Sequence, residues 1–259
     1  MDRPLQRVRV VIRFVRAVRG VHHATAVLML VCLVTAAMLY VPALAEAVGR
    51  RHLIRMIHIL AGFGLPVPAL LGWASRAFRG DVRRLNRFSP ADWGWLRGRD
   101  RRATVGGRGI HPVGKFNAGQ KLNAAFVAGA ILVMLGTGSI LTFPHPWPDT
   151  FRTGATFVHD WLTLAIFVVI LGHLWYALRD PGALSGMFLG RVTPEWAARH
   201  HPAWLDETRT SEAAAETPET ESPAHSRPLS TRNFVHPGEP TDPGGNTEEG
   251  KDDLSPRRS

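Results

Sequence analysis

The chain of 259 residues has room for one or two domains, is 45% hydrophobic and carries a formal net charge of +10. These averages resemble those of a basic soluble protein, but the polar and apolar residues are segregated along the chain. The single cysteine, Cys32, excludes a disulfide within the chain, a cysteine-ligated iron–sulfur cluster and a CxxCH site for covalent haem.

Four long segments are almost free of charge. Residues 21–45, 56–75 and 122–148 contain no Asp, Glu, Lys or Arg, and 153–178 contains only Asp160. A bilayer core of about 30 Å needs roughly 20 apolar residues in a helix. A soluble helix would show one apolar stripe, whereas these segments are apolar nearly all round. The sequence therefore predicts an all-α integral membrane protein with four transmembrane helices within residues 21–178.

Lysine and arginine mark one side of the predicted bundle. The basic N-terminal segment 1–20, the connector 76–121 and the segment 179–205 together hold 21 of these residues, whereas the other two connectors hold four. Positive residues stay on the cytoplasmic side of a membrane. We therefore expect a multi-pass protein of the bacterial cytoplasmic (inner) membrane with both termini, the connector and segment 179–205 in the cytoplasm. Membrane lipids can balance this charge, so no nucleic-acid partner is expected.

Two further segments have a character of their own. Residues 206–259 hold 12 acidic and six basic residues, are rich in Pro, Ser, Thr and Gly, and are predicted to form a disordered acidic tail. Within the connector, SPADWGWLRG predicts a short interfacial helix that begins after Ser89. Trp93 and Trp95 of that helix would lie at the lipid headgroups.

Histidines within the predicted spans carry the functional signal, because ionisable residues inside a bilayer are rare. The alternating span directions place His22 and His173 near the cytoplasmic side, and His58 and His159 near the outer side. His159 and His173 are fourteen residues apart, so they face nearly the same way at levels about 21 Å apart. Imidazoles paired at two depths of a four-helix bundle are what two b-type haems require.

Histidines within a membrane also have roles that need no haem. Such a residue can be an interhelical hydrogen-bonding group, a metal ligand or part of a proton relay. The same chain could then be a haem-free membrane anchor or a small transporter. Under the haem interpretation, Gly62, Gly64 and Gly172 beside the histidines could make room for a porphyrin.

Five patches of the sequence resemble one family over about residues 12–205. They are RGVHH at 19–23, RMIH at 55–58, GKFNAGQKL at 114–122, the two histidines of the fourth span, and GALSGMFLGRVTPEWAARHHPAW at 182–204. Together they resemble the gamma subunit of respiratory formate dehydrogenases, a four-helix di-haem membrane cytochrome b.

The resemblance implies metal ligands and a quinone site. The inner haem iron would be held by His22 and His173, and the outer one by His58 and His159. A menaquinone or ubiquinone would bind at the cytoplasmic edge, in contact with Asn117, Gly119, Gln120 and His173. His23 directly follows His22, so the choice between them stays open, although the register of Arg19 favours His22. Asp160 could bond an imidazole, interact with a haem propionate or reach outer-face water.

The chemistry at the third span agrees with a quinone site. Asn117 is expected to cap that helix, whose first turn has amide N–H groups without partners. Those donors and the side chains of Asn117 and Gln120 can bind a quinone carbonyl and favour the negative charge of its reduction. Gly119 would let a ring approach the backbone. The alternative is a plain cap followed by a small-residue packing contact.

The function implied by the resemblance is electron transfer within an oxidoreductase complex. Electrons would pass from an outer-face iron–sulfur beta subunit through two haems to the quinone. A separate molybdenum- or tungsten-containing alpha subunit would oxidise formate, since this chain has no dehydrogenase active site. The heterotrimer could form a higher oligomer. A cytochrome b for another donor, such as a hydrogenase or a thiosulfate/polysulfide reductase, stays open as an alternative.

Overall fold

The computed structural model describes residues 10–97 and 113–216; predictions for residues 1–9, 98–112 and 217–259 lie outside the described residues. This part of the chain is mostly helical, as predicted. The elements in chain order are β1 (Val11–Ile12), α1 (Arg16–Tyr40), α2 (Pro42–Val48), α3 (Arg51–Gly64), α4 (Val67–Gly72), α5 (Arg76–Leu85), α6 (Pro90–Arg97), α7 (Ala118–Thr142), α8 (Asp149–Leu178), α9 (Pro181–Phe188), β2 (Arg191–Val192), α10 (Pro194–His200) and α11 (Pro202–Glu216).

Four segments of the described chain are helical, long and apolar enough to cross a membrane: α1, α3 together with α4, α7 and α8. The described chain therefore has as many candidate transmembrane helices as the sequence predicts. Large apolar side chains on all four point away from the protein, with Leu30 60%, Leu70 70%, Leu132 70% and Phe157 64% exposed. Such exposure suits contact with lipid tails, where burying these side chains against protein brings no advantage over lipid.

The second span consists of two helices because Pro66 has no N–H to donate. α3 ends at Gly64 and α4 begins at Val67, with Pro68 in its first turn. The backbone of Leu65 and Pro66 keeps right-handed helical angles, so the span continues through the interruption. Hydrogen bonds are lost at this point, but the helical path is kept.

The spans pack as α1 against α3 and α4, α7 against α8, and α3 against α7. A buried cluster at the centre takes one residue from each span: Met29, Leu65, Ala130 and Ile166. We call the end where α1 and α7 begin and α4 and α8 end the connector end. The opposite end, where α3 and α8 begin, is the loop end.

A small second core closes the connector end. β1 pairs with β2 in antiparallel register, Val11 opposite Val192, so residues before the first span contact residues after the fourth. Val192, Ala197, Trp204 and Leu205 are buried together beside this pair. No pattern in the sequence indicates the strand pairing, because two-residue strands have no readable alternation.

The last helix of the described chain runs past Asp206, where the tail is predicted to start. α11 continues through Glu216, and its first turns are anchored by the buried Trp204 and Leu205. Glu207 also forms a bidentate ion pair with Arg84 of α5. The acidic composition that suggested disorder therefore begins within an ordered helix.

The short connector helix is present as α6, and Ser89 lies at its start. The Ser89 hydroxyl accepts from the Asp92 amide, while the Asp92 carboxylate accepts from the Ser89 amide at 2.7 Å. Trp93 is 53% exposed, as a headgroup contact requires. Trp95 is half-buried and packs inward.

Candidate functional site

The structure brings His58 and His159 together at the loop end. His58 is on α3 and His159 on α8; both side chains are half-buried, and their ring centroids lie 6.3 Å apart. A histidine nitrogen binds a transition metal at about 2 Å, so an iron between two imidazoles would hold the centroids roughly 6.4 Å apart. The spacing of this pair therefore fits one axial ligand on each face of a haem.

The structure brings His22 and His173 together at the connector end. Their ring centroids are also 6.3 Å apart, which fits an iron in the same way. His23 lies 5.5 Å from His22 and packs at 5.1 Å against Phe188 of α9. Of the two neighbouring histidines, the one that faces His173 is thus His22.

An apolar layer separates the two histidine pairs. Met29 and Leu65 each follow a span histidine by seven residues, and Ile166 lies seven residues from both His159 and His173. Seven helical residues rise about 10 Å, so this layer is halfway between the two levels. The four-helix core thus keeps the pairs apart and excludes water between them.

The three glycines near the histidines differ in their surroundings. A Cβ atom at Gly62 or Gly172 would meet nothing within 4 Å, so both positions border open space of the kind a flat ligand could use. A Cβ at Gly64 would lie 3.6 Å from the Leu28 side chain. Gly64 therefore contributes to helix packing, and two of the three predicted glycines fit a porphyrin.

Two threonines that the sequence pattern does not single out contact the loop-end pair. Thr35 Oγ1 of α1 lies 2.9 Å from His58 Nδ1, and Thr137 Oγ1 of α7 lies 2.9 Å from His159 Nδ1. Sorting the residues of the spans by depth places both threonines near the loop-end histidines, because each is near the loop end of its helix, but it does not show that they contact them. Asp160, beside His159, is exposed.

Residues 13–190 match the family described as prokaryotic cytochrome b561, which covers more than half of the chain and all four spans. The chain belongs to this family. Membership implies haem b and electron transport, and together with the four apolar helices it indicates a membrane protein.

Curated relatives of this cytochrome are formate dehydrogenase subunits. It is 33% identical over 113 residues to the nitrate-inducible cytochrome b556(Fdn) subunit of Escherichia coli K12, covering 42% of this chain and 52% of the relative. It is 35% identical over 114 residues to the cytochrome b556(fdo) subunit of the same strain, covering 41% and 53%. A cytochrome b556 subunit of Haemophilus influenzae is 28% identical over 172 residues, covering 63% and 68%.

These similarities confirm the predicted resemblance to formate dehydrogenase cytochrome b subunits. The chain spans about half the length of the two Escherichia coli relatives that it matches.

Asn117 caps the third span of the cytochrome, as predicted. Its side-chain oxygen accepts from the Gln120 amide at 2.9 Å, and the Gln120 side-chain oxygen accepts from the Asn117 amide at 3.0 Å. This capping box uses both side-chain oxygens, the N–H of the N-cap residue and one N–H of the first turn. The NH₂ groups of the two side chains take no part in the box, and they can only donate.

Gly119 accommodates an aromatic ring of the protein itself. A Cβ at this position would lie 3.2 Å from Cη2 of Trp95, so the indole rests against the glycine backbone. A cavity of about 200 Å³ lies beside Trp95 and is also lined by Asn117, Asp92 and Lys121. Among the residues that the structure describes, its lining does not include the other predicted quinone contacts: Gly119, Gln120 and His173.

Two nearly buried ion pairs hold the segment that leads into α7 and the first turn of that helix. Lys115 Nζ lies 2.6 Å from the Asp81 carboxylate of α5, and Lys121 Nζ lies 2.6 Å from the Asp92 carboxylate of α6. Burial lowers the pKa of Lys115, and the Asp81 carboxylate opposes that shift. Burial alone would raise the pKa of Asp92, but its bonds to Lys121 and Ser89 bring it below the usual value.

Arg13 and His201 hold the same segment through its backbone carbonyls. Arg13 Nη2 donates to His201 Nε2 at 2.9 Å and to the Lys115 carbonyl at 3.3 Å, while His201 Nδ1 donates to the Gly114 carbonyl at 2.7 Å. His201 must be neutral to accept from a guanidinium. Burial, followed by the charge of Arg13, lowers the pKa of His201 to about 3. We call these four residues the Arg13–His201 clasp.

Proposed function

We propose that this cytochrome is the di-haem cytochrome b subunit of a membrane-bound formate dehydrogenase. It would receive electrons from an outer-face iron–sulfur beta subunit and deliver them to a quinone reduced near the cytoplasmic side. Formate oxidation would belong to a separate molybdenum- or tungsten-containing alpha subunit. The observation that carries the proposal is the presence of two imidazole pairs with equal 6.3 Å spacing at two levels of the bundle. The names of the curated relatives, which are formate dehydrogenase subunits, support formate as the source of the electrons.

The chain's own residues would hold two haems and keep them apart. His58 and His159 would be the outer iron ligands, and His22 and His173 the inner ones. When bound, the haems supply one-electron transfer. The apolar layer around Met29 would exclude water between the two levels.

The distribution of charge supports the orientation. Lysine and arginine concentrate at the connector end, which we assign to the cytoplasmic face of the bacterial inner membrane. The loop end, with His58 and His159, would then face the outside. Electrons would enter there and protons for the quinone would come from the cytoplasm, so that turnover would build a proton-motive force.

The start of α7 supports a quinone site at the connector end. The side-chain NH₂ groups of Asn117 and Gln120 can donate to a quinone oxygen, and the positive end of the helix dipole would stabilise negative charge there. A cavity of about 150 Å³ holds a benzene molecule, so the cavity of about 200 Å³ at Asn117 has room for one ring. Gly119 would contribute by positioning Trp95, and His173 by its place beside the inner haem.

The first test is a dithionite-reduced minus oxidised spectrum of the detergent-purified protein, with pyridine haemochrome quantitation. Two b haems per chain are expected. A folded protein without haem would exclude the cytochrome function and favour a membrane anchor or transporter.

A second test, in native membranes, addresses which substrate supplies electrons to the cytochrome. Deleting this chain should abolish formate-dependent quinone reduction and spare the reaction with a donor that bypasses the complex. Retained formate activity, with loss of hydrogen- or thiosulfate-dependent reduction, would instead assign the cytochrome to another dehydrogenase.

A further inference from the structure

The loop-end histidines are each hydrogen-bonded by a threonine from the neighbouring helix of the bundle. Thr35 on α1 contacts His58 on α3, and Thr137 on α7 contacts His159 on α8, both with a 2.9 Å distance from Oγ1 to Nδ1. The two contacts have the same atoms and the same length, although they involve four different helices.

The direction of each hydrogen bond follows from the one proton of the hydroxyl. Thr35 Oγ1 donates to the Val31 carbonyl at 2.6 Å, four residues earlier on its own helix, and Thr137 Oγ1 donates to the Val133 carbonyl at 2.9 Å. A hydroxyl that donates its one proton to the carbonyl uses a lone pair to accept from the imidazole. In this arrangement Nδ1 of both histidines carries the proton.

We propose that Thr35 and Thr137 are positioning residues that fix the Nδ1–H tautomer and ring orientation of the two outer haem ligands. This inference rests on the proposed function. A proton on Nδ1 leaves the lone pair of Nε2 free for iron, whereas the opposite tautomer would present an N–H to the metal. A hydrogen bond from the remote nitrogen also raises the basicity of a ligating histidine and orients its ring.

Removing the hydroxyls should weaken electron donation to the outer iron. A less basic imidazole stabilises the oxidised iron less, so the outer reduction potential should rise. Thr35→Val and Thr137→Val keep the side-chain shape and replace the hydroxyl by a methyl group, which cannot form the hydrogen bond. For each we expect about a tenfold shift of the equilibrium toward the reduced form, which is about 59 mV for a one-electron couple.

The experiment is a potentiometric titration of purified haem-loaded protein, followed by its optical spectrum and by electron paramagnetic resonance of the oxidised haems. The component lost in His58→Ala identifies the outer haem, and the inner haem serves as reference within each sample. Thr35→Ser and Thr137→Ser keep the hydroxyl and should restore the wild-type potential. Thr156→Val is the matched control, because the Thr156 hydroxyl likewise donates to a carbonyl of its own helix, that of Arg152, but has no imidazole contact among the hydrogen bonds of the described residues.

Each outcome of this titration supports or overturns the positioning role. A raised outer potential, or loss of the outer haem alone, in the valine variants with recovery in the serine variants supports it. Valine variants with wild-type potentials and spectra would overturn it. Equal damage in valine and serine variants, or an equal shift of both haems, would also overturn it in favour of a general packing effect. A wild-type protein without two haems would instead contradict the proposed function itself.

Discussion

Arg13 and His201 are 188 residues apart in the chain and are joined by a hydrogen bond of 2.9 Å from guanidinium to imidazole. Both side chains are buried, at 4% and 3% exposure. Each also bonds a backbone carbonyl of the GKFN segment, at Lys115 and at Gly114. The start of α7 is therefore held by one residue that precedes the four spans in the chain and one that follows them.

The clasp predicts that stability falls in mild acid. The pKa of His201 is about 3 in the folded protein against 6.5 unfolded, so only the unfolded chain takes up this proton between those values. The stabilisation that neutral His201 contributes to the free energy of unfolding is complete above pH 6.5 and is lost as the pH falls toward 3. At pH 5 the loss should be about 2 kcal/mol.

The measurement is thermal unfolding of wild type and His201→Gln in detergent between pH 7.5 and 5. The variant should be less stable at pH 7.5, and the difference between the two proteins should shrink toward pH 5. Because the other histidines titrate in both proteins, they cancel in this comparison. A difference that stays constant with pH would contradict the buried neutral state of His201.

Loss of one axial ligand should remove one haem only. His58→Ala or His159→Ala should halve the haem content and leave the inner component spectroscopically intact, because the apolar layer around Met29 separates the levels. His22→Ala should remove the inner haem, whereas His23→Ala should retain both. Loss of haem in His23→Ala but not in His22→Ala would exchange the roles of the two histidines.

Two changes at Asn117 should separate helix capping from quinone binding. Asn117→Ala loses both the cap, at a cost of about 1 kcal/mol, and the NH₂ donor. Asn117→Asp keeps the capping oxygen, loses the donor and adds a negative charge, which also disfavours reduction of a quinone beside it. Both variants should retain two haems and reduce quinone slowly, but only the alanine variant should lose stability. Normal quinone kinetics in Asn117→Asp would place the contact elsewhere.

The buried pair of Lys115 and Asp81 should be sensitive to loss of either partner. Lys115→Met or Asp81→Leu leaves one charge without its partner and should each cost about 3 kcal/mol. The double variant removes both charges and should recover most of that loss. Unfolding of the four proteins of this cycle gives the coupling energy directly, and additive losses would argue against a tight pair.

The sequence predicts the bundle and its histidines for simple physical reasons. A span must be apolar over most of its length, so its approximate position can be read from the absence of charge. The helices themselves begin four or five residues before the segments of low charge. Alternating directions then order His22, His58, His159 and His173 by depth without knowledge of helix packing. The contact between Gly119 and Trp95 could not be found this way, because it depends on how α6 folds back over α7.

Polar contacts between distant residues cannot be predicted in the same way. Arg13 and His201 lie in segments without periodicity, and nothing local indicates that they meet. Asp81 and Asp92 stand out only as acidic residues in a basic connector, which gives no partner. Thr35 and Thr137 fit a membrane helix equally well with or without a neighbour, since a threonine there can bond its own backbone.

The pairing of β1 with β2 constrains the order in which the protein can be assembled. Val11 is made early, but its partner Val192 follows roughly 180 residues later, after all four spans. At about 5–20 residues per second, the ribosome needs roughly 10 to 40 s to cover that interval. Strand β1 therefore lacks its partner β2 while the four spans are made and inserted. The connector end, which includes the cap of α7, can therefore close only late, after all four helices of the bundle have been made.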